Sequence, residues 1–452
     1  MQLLRRFFSE YTSQIITMLH LDSMQLTGFA FSYPALYFCG KFKTMTRLLR
    51  ILSAVSALLL SVLPPVAAQH GRTDRIIIHR TNPEGMDSSL SSRNAGAASV
   101  AFDTSGIYTW SYPAADSLTL VRKGNFAIPC AARPHMTVFF DPGTSDFYWY
   151  DIYSHDGGRI IRHNLISKAT DTVITDIRAV INPNSMNIVS EDSIFLLNSN
   201  IQRIFLIDSS GETRKTLPLH SSATIFPGGS GQPYLDGGNL YYVVSDYRRL
   251  YSTYCLYPGP FPRKTRQEAL VPYPGLYKDY TGYGYMLMSN PYSAYDPDRK
   301  QIVVGYPPDG HIYVFSLQDH SLRKYTVESR DAAPVEPFTA GKWRLDIEHF
   351  RSQTTYANIL YDCWRDLYYR IVERSTPMPG VEMSERAKRL SVIIMDTDFR
   401  ILGESEIAED IHACFRYTCF VSEEGLNIQL LDPDTDRMTF ATYATTVKHH
   451  RQ

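Results

Sequence analysis

A unit of strand, loop, strand and turn that restarts about every fifty residues constrains this chain more than anything else in it. Residues 145–176 show it as SDFYWYD, a polar loop, GRIIRHN, a short turn and TDTVITD. The same order returns at 193–215, 239–257, 301–325, 367–407 and 425–443. Within the units, β-branched and aromatic residues alternate with polar ones, and Gly, Asp, Asn and Pro punctuate the ends. The 31 Tyr and 22 Phe suit pleated, half-buried surfaces. No segment after residue 69 holds a helical period for long. A sheet of three or four short strands cannot cover its own apolar faces, so such units stack around an axis. The expected architecture is all-β, a single β-propeller over residues 97–446. Counting from Pro134 gives six units, and residues 99–122 supply strands that either make a seventh or complete the last one. Seven blades fit the spacing slightly better, with six the alternative. Residues 75–80 (RIIIHR) are expected to close the ring. Two β-sandwiches would accept the same strands but leave their recurring order unexplained.

The start of the chain reads as a leader. Met45 opens a short basic stretch, residues 51–63 form an apolar run, Pro64-Pro65 breaks it, and Val66-Ala67-Ala68 offers small residues for cleavage before Gln69. Residues 45–68 are therefore expected to be a signal peptide, and the protein to be periplasmic or secreted. An uncleaved anchor is the competing reading, disfavoured by the short apolar run. Residues 1–44 lie upstream of a complete leader and read as a non-native or extended start. Residues 69–96 form a lead-in and 447–452 a tail. No Cys follows the apolar run, so a lipoprotein attachment point is missing. Cys130, Cys255, Cys363, Cys414 and Cys419 remain, an odd number without zinc spacing. Buried thiols are the expectation, with a Cys414–Cys419 contact across a tight hairpin as the alternative. The net charge of -1 and pI near 6.9 give no footprint for nucleic acid or an anionic membrane.

Two short stretches look like propeller signatures. Tyr148-Trp149-Tyr150-Asp151 with Arg159-Ile160-Ile161-Arg162 resembles the YWTD repeat of six-bladed receptor propellers, but occurs once. Asp103-Thr104-Ser105-Gly106 with Trp110 resembles an Asp-box whose Gly is one place late. A more specific resemblance spans the later units: Ile359-Leu360-Tyr361-Asp362 and Leu367-Tyr368-Tyr369-Arg370, then residues 395–404 (MDTDFRILGE), then Phe420 and Glu424-Gly425-Leu426. With Asp192-Ser193-Ile194-Phe195 and residues 207–211 (IDSSG), this ordered set resembles the uncharacterised bacterial propeller family catalogued as domain of unknown function 4221, over about residues 95–446. The resemblance implies an exported propeller, often a lipoprotein, without an assigned reaction.

Catalytic and metal motifs are not met. Gly228-Gly229-Ser230-Gly231 is followed by Gln232 where a nucleophile elbow needs Gly. Asp432-Pro433-Asp434-Thr435-Asp436 has Arg437 where a calcium loop needs Gly, and Tyr443 where it needs Glu. His155, His163, His311, His320, His349 and His412 share no ligand spacing, and His449-His450 reads as a solvated tail. No metal site or cofactor is read from the sequence.

Two candidate binding clusters remain. Tyr361, Asp362, Arg365, Tyr368, Tyr369 and Arg370 bring aromatic, acidic and guanidinium groups within ten residues. Alternation puts Tyr368 and Arg370 on one face and Tyr369 on the other. Tyr stacks on a sugar or peptide and Arg clamps a carboxylate; alternatively, these groups stitch neighbouring blades together. The second cluster is the loop of Tyr273, Tyr277, Tyr280, Tyr283 and Tyr285, a rim patch or a polar cover over a blade edge. The function expected is a binding or scaffold module for a peptide, protein or glycan. The alternative is a glycan- or lactone-acting enzyme with carboxylates converging on the central funnel.

Overall fold

Blade by blade, the alternation seen in the sequence becomes two apolar faces that point at two different neighbours. The computed structural model describes residues 107–109, 112–113, 116–130, 136–151, 158–177, 183–219, 232–246, 251–257, 266–276, 288–330, 332, 335–336, 349–375, 388–408, 414–431 and 437–448. The expectations for residues 45–68, 75–80, 103–106, 228–231 and 432–436 lie outside that set.

Two strands come first, β1 (Ile107–Thr109) and β2 (Leu118–Ile128). Blade 1 is then β3 (Val138–Asp141), β4 (Asp146–Asp151), β5 (Gly158–Asn164) and β6 (Thr170–Ile177). Blade 2 is β7 (Ser185–Ser190), β8 (Ser193–Asn198), β9 (Arg203–Ile207) and β10 (Thr213–Pro218). Blade 3 is β11 (Tyr234–Asp236), β12 (Asn239–Asp246), β13 (Tyr251–Tyr257) and β14 (Arg266–Pro272). Blade 4 is β15 (Tyr292–Asp296), β16 (Gln301–Gly305), β17 (His311–Ser316) and β18 (Leu322–Thr326), with β1 added in parallel at its outer edge. Blade 5 is β19 (Thr355–Asp362), β20 (Leu367–Arg374), β21 (Arg389–Met395) and β22 (Ile401–Ala408). Blade 6 is β23 (Cys414–Ser422), β24 (Gly425–Leu430) and β25 (Met438–Val447), and β2 supplies its fourth strand.

The ring therefore has six blades, not seven. The strands expected within 99–122 do not build a blade of their own; β2 pairs antiparallel with β25, from Leu118↔Val447 to Ile128↔Met438, and completes the last sheet. Cys414 and Cys419 sit on the single strand β23 rather than across a hairpin. Cys130, Cys255 and Cys419 are buried, and Cys363 is exposed.

Each of the six seams between successive blades holds its own hydrophobic cluster. In blade 4, Ile302 and Val304 face blade 3, beside Tyr241, Cys255 and Leu270. Val303, Ile312 and Val314 face blade 5, beside Tyr356, Ile359 and Val372. In blade 2, Ile194 and Leu196 join the seam with blade 1, whereas Phe195 and Leu197 join the seam with blade 3. The closing seam, between blades 6 and 1, packs Phe420, Met438 and Phe440 against Phe140, Phe147 and Trp149, with Ile128 of β2 among them.

The segment leading into β2 also fastens the outside of the ring. Ser117 N–H donates to the Leu402 carbonyl of blade 5, and Lys448 N–H to the Ser117 carbonyl. Buried Asp116 takes Arg330, which follows blade 4, and Lys448, at the end of blade 6.

A chain beginning at residue 131 lacks only β1 and β2 among these strands. It is expected to lose its cooperative thermal transition and to bind a hydrophobic dye, because the blade 6 sheet and the seam it shares with blade 1 are left open. A sharp transition at the temperature of the full-length protein would show that ring closure contributes little.

Candidate functional site

Antiparallel order sends the connections of a blade to two opposite ends. At one end lie the turns from the first to the second strand and from the third to the fourth. These are mostly tight and share one device. Asp141, Asp296 and Asp362 each end the first strand of a blade, and four residues later Ser145, Lys300 and Asp366 take left-handed φ values of 58°, 49° and 53°. The carboxylates cap the turns: Asp141 accepts from Gly143 N–H, Asp296 from Arg299 N–H, and Asp362 from Trp364 and Arg365 N–H, all at 2.9–3.1 Å. Asn164 and Ser316 do the same at the end of a third strand. Short polar side chains satisfy turn amides in this way wherever the backbone leaves the ladder.

The cluster of Tyr361, Asp362, Arg365 and Tyr369 lies at this turn end, and it binds blade 5 to both neighbours. Toward blade 4, the Tyr361 hydroxyl donates to Asp366 at 2.9 Å, while Arg299 of blade 4 reaches Tyr361 and Asp366 at 3.2 and 3.3 Å. Tyr368 donates to buried Asp296 at 2.7 Å. Toward blade 6, Arg365 bridges Asp362 and the Glu423 carbonyl, and Tyr369 donates to Asp362 at 2.8 Å while facing the Thr445 hydroxyl at 2.7 Å. Burial, and then the Asp362 charge, pushes the Tyr369 hydroxyl pKa well up. Tyr368 and Tyr369 thus face opposite neighbours, as alternation requires.

Arg370 leaves this cluster. Its fully buried guanidinium reaches toward the other end of the blade 4–5 seam, donating to the carbonyls of Asp309, Gly310, His311 and Val327 and to the Tyr292 hydroxyl. The Tyr356 ring lies 3.7 Å from the guanidinium carbon. Burial pushes the Tyr356 hydroxyl up to about 12, against the pull of the Arg370 charge.

That other end carries the second-to-third connections and the links between blades. Three of the links are long: residues 219–233, 273–291 and 327–354. Tyr273 and Tyr306 pack at 5.1 Å, and the Tyr306 ring meets Tyr313 edge-on at 5.6 Å, along the blade 3–4 seam. Gln232, in the link ahead of β11, reaches the Val138 carbonyl of blade 1 at 3.4 Å. Tyr277, Tyr280, Tyr283 and Tyr285 lie outside the described residues, in the connection that leaves at Leu276 and returns at Met288.

Two constellations at this end were not singled out from the sequence. In the first, Asp309 accepts from His311 Nδ1 and from the Tyr313 hydroxyl, both at 2.7 Å. In the second, Lys388 Nζ is buried against Thr355 Oγ1 at 2.7 Å and the Phe350 ring at 3.8 Å. Burial, with the Arg351 charge behind it, pushes the Lys388 amine well down; Glu373 at 3.4 Å does not offset this. Nothing in a single sequence marks that lysine as buried. Among the described residues no group of three His, Cys, Asp or Glu is placed to hold a metal ion, and no helix is long and apolar enough to cross a membrane.

Fold and seams define the class: a six-bladed β-propeller in which β2, from ahead of blade 1, completes the last blade. The chain belongs to the family described as Domain of unknown function (DUF4221), whose model matches residues 176–406, inside the span over which the sequence resembles it. A crystal structure of a member of that family from Bacteroides vulgatus is 18% identical, with a TM-score of 0.59, covering 74% of this chain and 99% of its own. Looser likenesses are a calcium-binding protein, regucalcin, from Agrobacterium tumefaciens (11% identity, TM-score 0.38, 75% of this chain and 95% of that one). Another is the periplasmic gluconolactonase PpgL of Pseudomonas aeruginosa (12% identity, TM-score 0.40, 70% and 89%). Similarity this distant concerns the fold alone. No curated protein matches the sequence.

Two substitutions separate the braces. Arg370→Met leaves four carbonyls and a buried hydroxyl without their donor and is expected to cost about 3 kcal/mol or more in urea unfolding; Tyr369→Phe, which removes one hydroxyl, is expected to cost about 1–3 kcal/mol. Lys388 sets a pH dependence. Its amine is held below the ordinary lysine value in the folded state, so the unfolded chain binds the extra proton and stability rises with pH across the window between the two values. Lys388→Met is expected to flatten that rise, measured as urea midpoints at a series of pH values.

Proposed function

We propose that this chain is an exported binding propeller that captures a peptide, protein or glycan at the end carrying its long connections. One observation carries the reading: at the turn end Asp141, Asp296 and Asp362 cap tight turns, whereas the opposite end carries the long links at 219–233, 273–291 and 327–354. Long connections on a rigid scaffold are where binding residues concentrate.

Tyr277, Tyr280 and Tyr283 are the proposed contacts, because tyrosine rings stack on sugars and peptide planes while their hydroxyls find polar partners. Tyr361, Asp362, Arg365, Tyr369 and Arg370 are assigned to bracing the blades, since each is engaged with a protein partner. Export rests on the leader at residues 45–68 and cleavage before Gln69.

The test is capture on glycan and peptide arrays by protein beginning at Gln69. Replacing Tyr277, Tyr280 and Tyr283 together with Ala is expected to lower affinity about tenfold or more. Cys363→Ser, at the turn end, is expected to leave capture unchanged. Equal capture by the triple variant would place the site elsewhere, and turnover of the captured ligand would replace binding with catalysis. N-terminal sequencing of protein recovered from the periplasm is expected to begin at Gln69.

A further inference from the structure

The loop between β16 and β17 holds a histidine whose geometry exceeds what bracing needs. Asp309 is buried, and every contact given to its carboxylate is a donor from its own blade. Oδ1 accepts the backbone N–H of His311 at 3.0 Å and its ring Nδ1–H at 2.7 Å, and Oδ2 accepts the Tyr313 hydroxyl at 2.7 Å. A carboxylate only accepts, so Nδ1 carries the proton, and in the neutral ring the lone pair stands on Nε2. Burial pushes the Asp309 carboxyl up, but the hydrogen bond and charge of His311, with the Tyr313 hydroxyl, outweigh it and hold the carboxyl below its usual range. It therefore stays ionised beside the ring. The His311 side chain is 25% exposed.

The loop is also held still. Arg370 of blade 5 grips the carbonyls of residues 309, 310 and 311, and at Gly310 a Cβ would lie 2.3 Å from Glu328 Cγ. On β18, Lys324 pairs with Tyr313 while Thr326 pairs with His311. Lys324 is thus the diagonal neighbour of His311 on one face, at roughly 7 Å between Cβ atoms. Its Nζ lies 5.6 Å from the Tyr313 ring centre. An oriented base and an ammonium share one face of blade 4, with Glu328 beside the loop and Glu268 on the facing strand β14.

We propose that the Asp309–His311 pair is a proton-transfer unit that hydrolyses carboxylic esters, lactones included, with Lys324 facing the carbonyl oxygen. His311 Nε2 takes a proton from water as the water oxygen bonds to the acyl carbon, and the carbonyl oxygen gains the negative charge opposite Lys324. As that intermediate collapses, the bond from acyl carbon to alkoxy oxygen breaks, and the departing alkoxide takes the proton from Nε2. Asp309 stays ionised and steadies the imidazolium throughout. Acid and alcohol are the products, and water is the only co-reactant. Esters suit the site because one oxyanion forms and one proton is returned. The proposal does not depend on the tyrosine loop.

The test uses protein beginning at Gln69 with p-nitrophenyl acetate and an unsubstituted δ-lactone. Hydrolysis is expected to fall about 100-fold in His311→Gln and to stay unchanged in His320→Gln. In His311→Gly, added imidazole is expected to restore part of the rate, which a merely structural histidine would not allow. Should the variants unfold, diethyl pyrocarbonate on the wild-type protein is expected to abolish the activity and hydroxylamine to return it. No wild-type hydrolysis of either probe above the buffer rate overturns the proposal. So does a rate that survives both His311→Gln and carbethoxylation. Unchanged glycan or peptide capture by His311→Gln would leave the binding reading standing by itself.

Discussion

Shared burial is the constraint on which everything else rests. Each sheet is only four or five strands wide and apolar on both faces, and every one of those faces is covered by a neighbour rather than by a helix or by a second layer within the same blade. Burying apolar area at about 25 cal/mol per Å² rewards each seam modestly; the ring multiplies that reward by leaving no terminal blade with a wet face. Closure follows from the same requirement. Without β2, the sixth blade would end at β25, with its last row of backbone donors and acceptors and the seam to blade 1 exposed.

Polar groups are then arranged around those seams with a clear division of labour. At the turn end, aspartates repeat at equivalent places and serve the backbone first, neighbouring side chains second. Elsewhere carboxylates are turned to other partners: Asp309 holds an imidazole, and Glu404 collects the hydroxyls of Ser329 and Ser391 and the Arg330 amide. Arg370 spans from the middle of a strand to the opposite end, and the loop it grips carries His311.

The fold was legible because turn chemistry and side-chain alternation are local. Residues 193–215 or 301–325 announce a hairpin pair to anyone reading them in order, and those hairpins are present in blades 2 and 4. Blade number was not legible in the same way. Residues 99–122 look like strands, and nothing nearby tells that β2 pairs with β25; Thr119 and Thr446 are 327 positions apart. The dense run from Tyr361 to Arg370 stood out as a cluster, yet its turn role emerges only when Asp362 is set beside Asp141 and Asp296. His311 shows no ligand spacing in the sequence, and its pairing with Asp309 is not legible there, because a hydrogen bond from a ring nitrogen leaves no trace in residue spacing.

The pairing of β2 with β25 has a temporal side. Synthesis delivers β2 before any complete blade and delivers its partner last of all. For most of that interval the early strand has no native place to go, and the apolar face that will meet Phe420 and Phe440 has nothing to pack against. Loop-closure entropy grows only slowly with length, so the wait costs little in equilibrium stability, but long-range pairing of this kind slows the search. β2 therefore acts as a timer: the ring stays open until β25 has arrived.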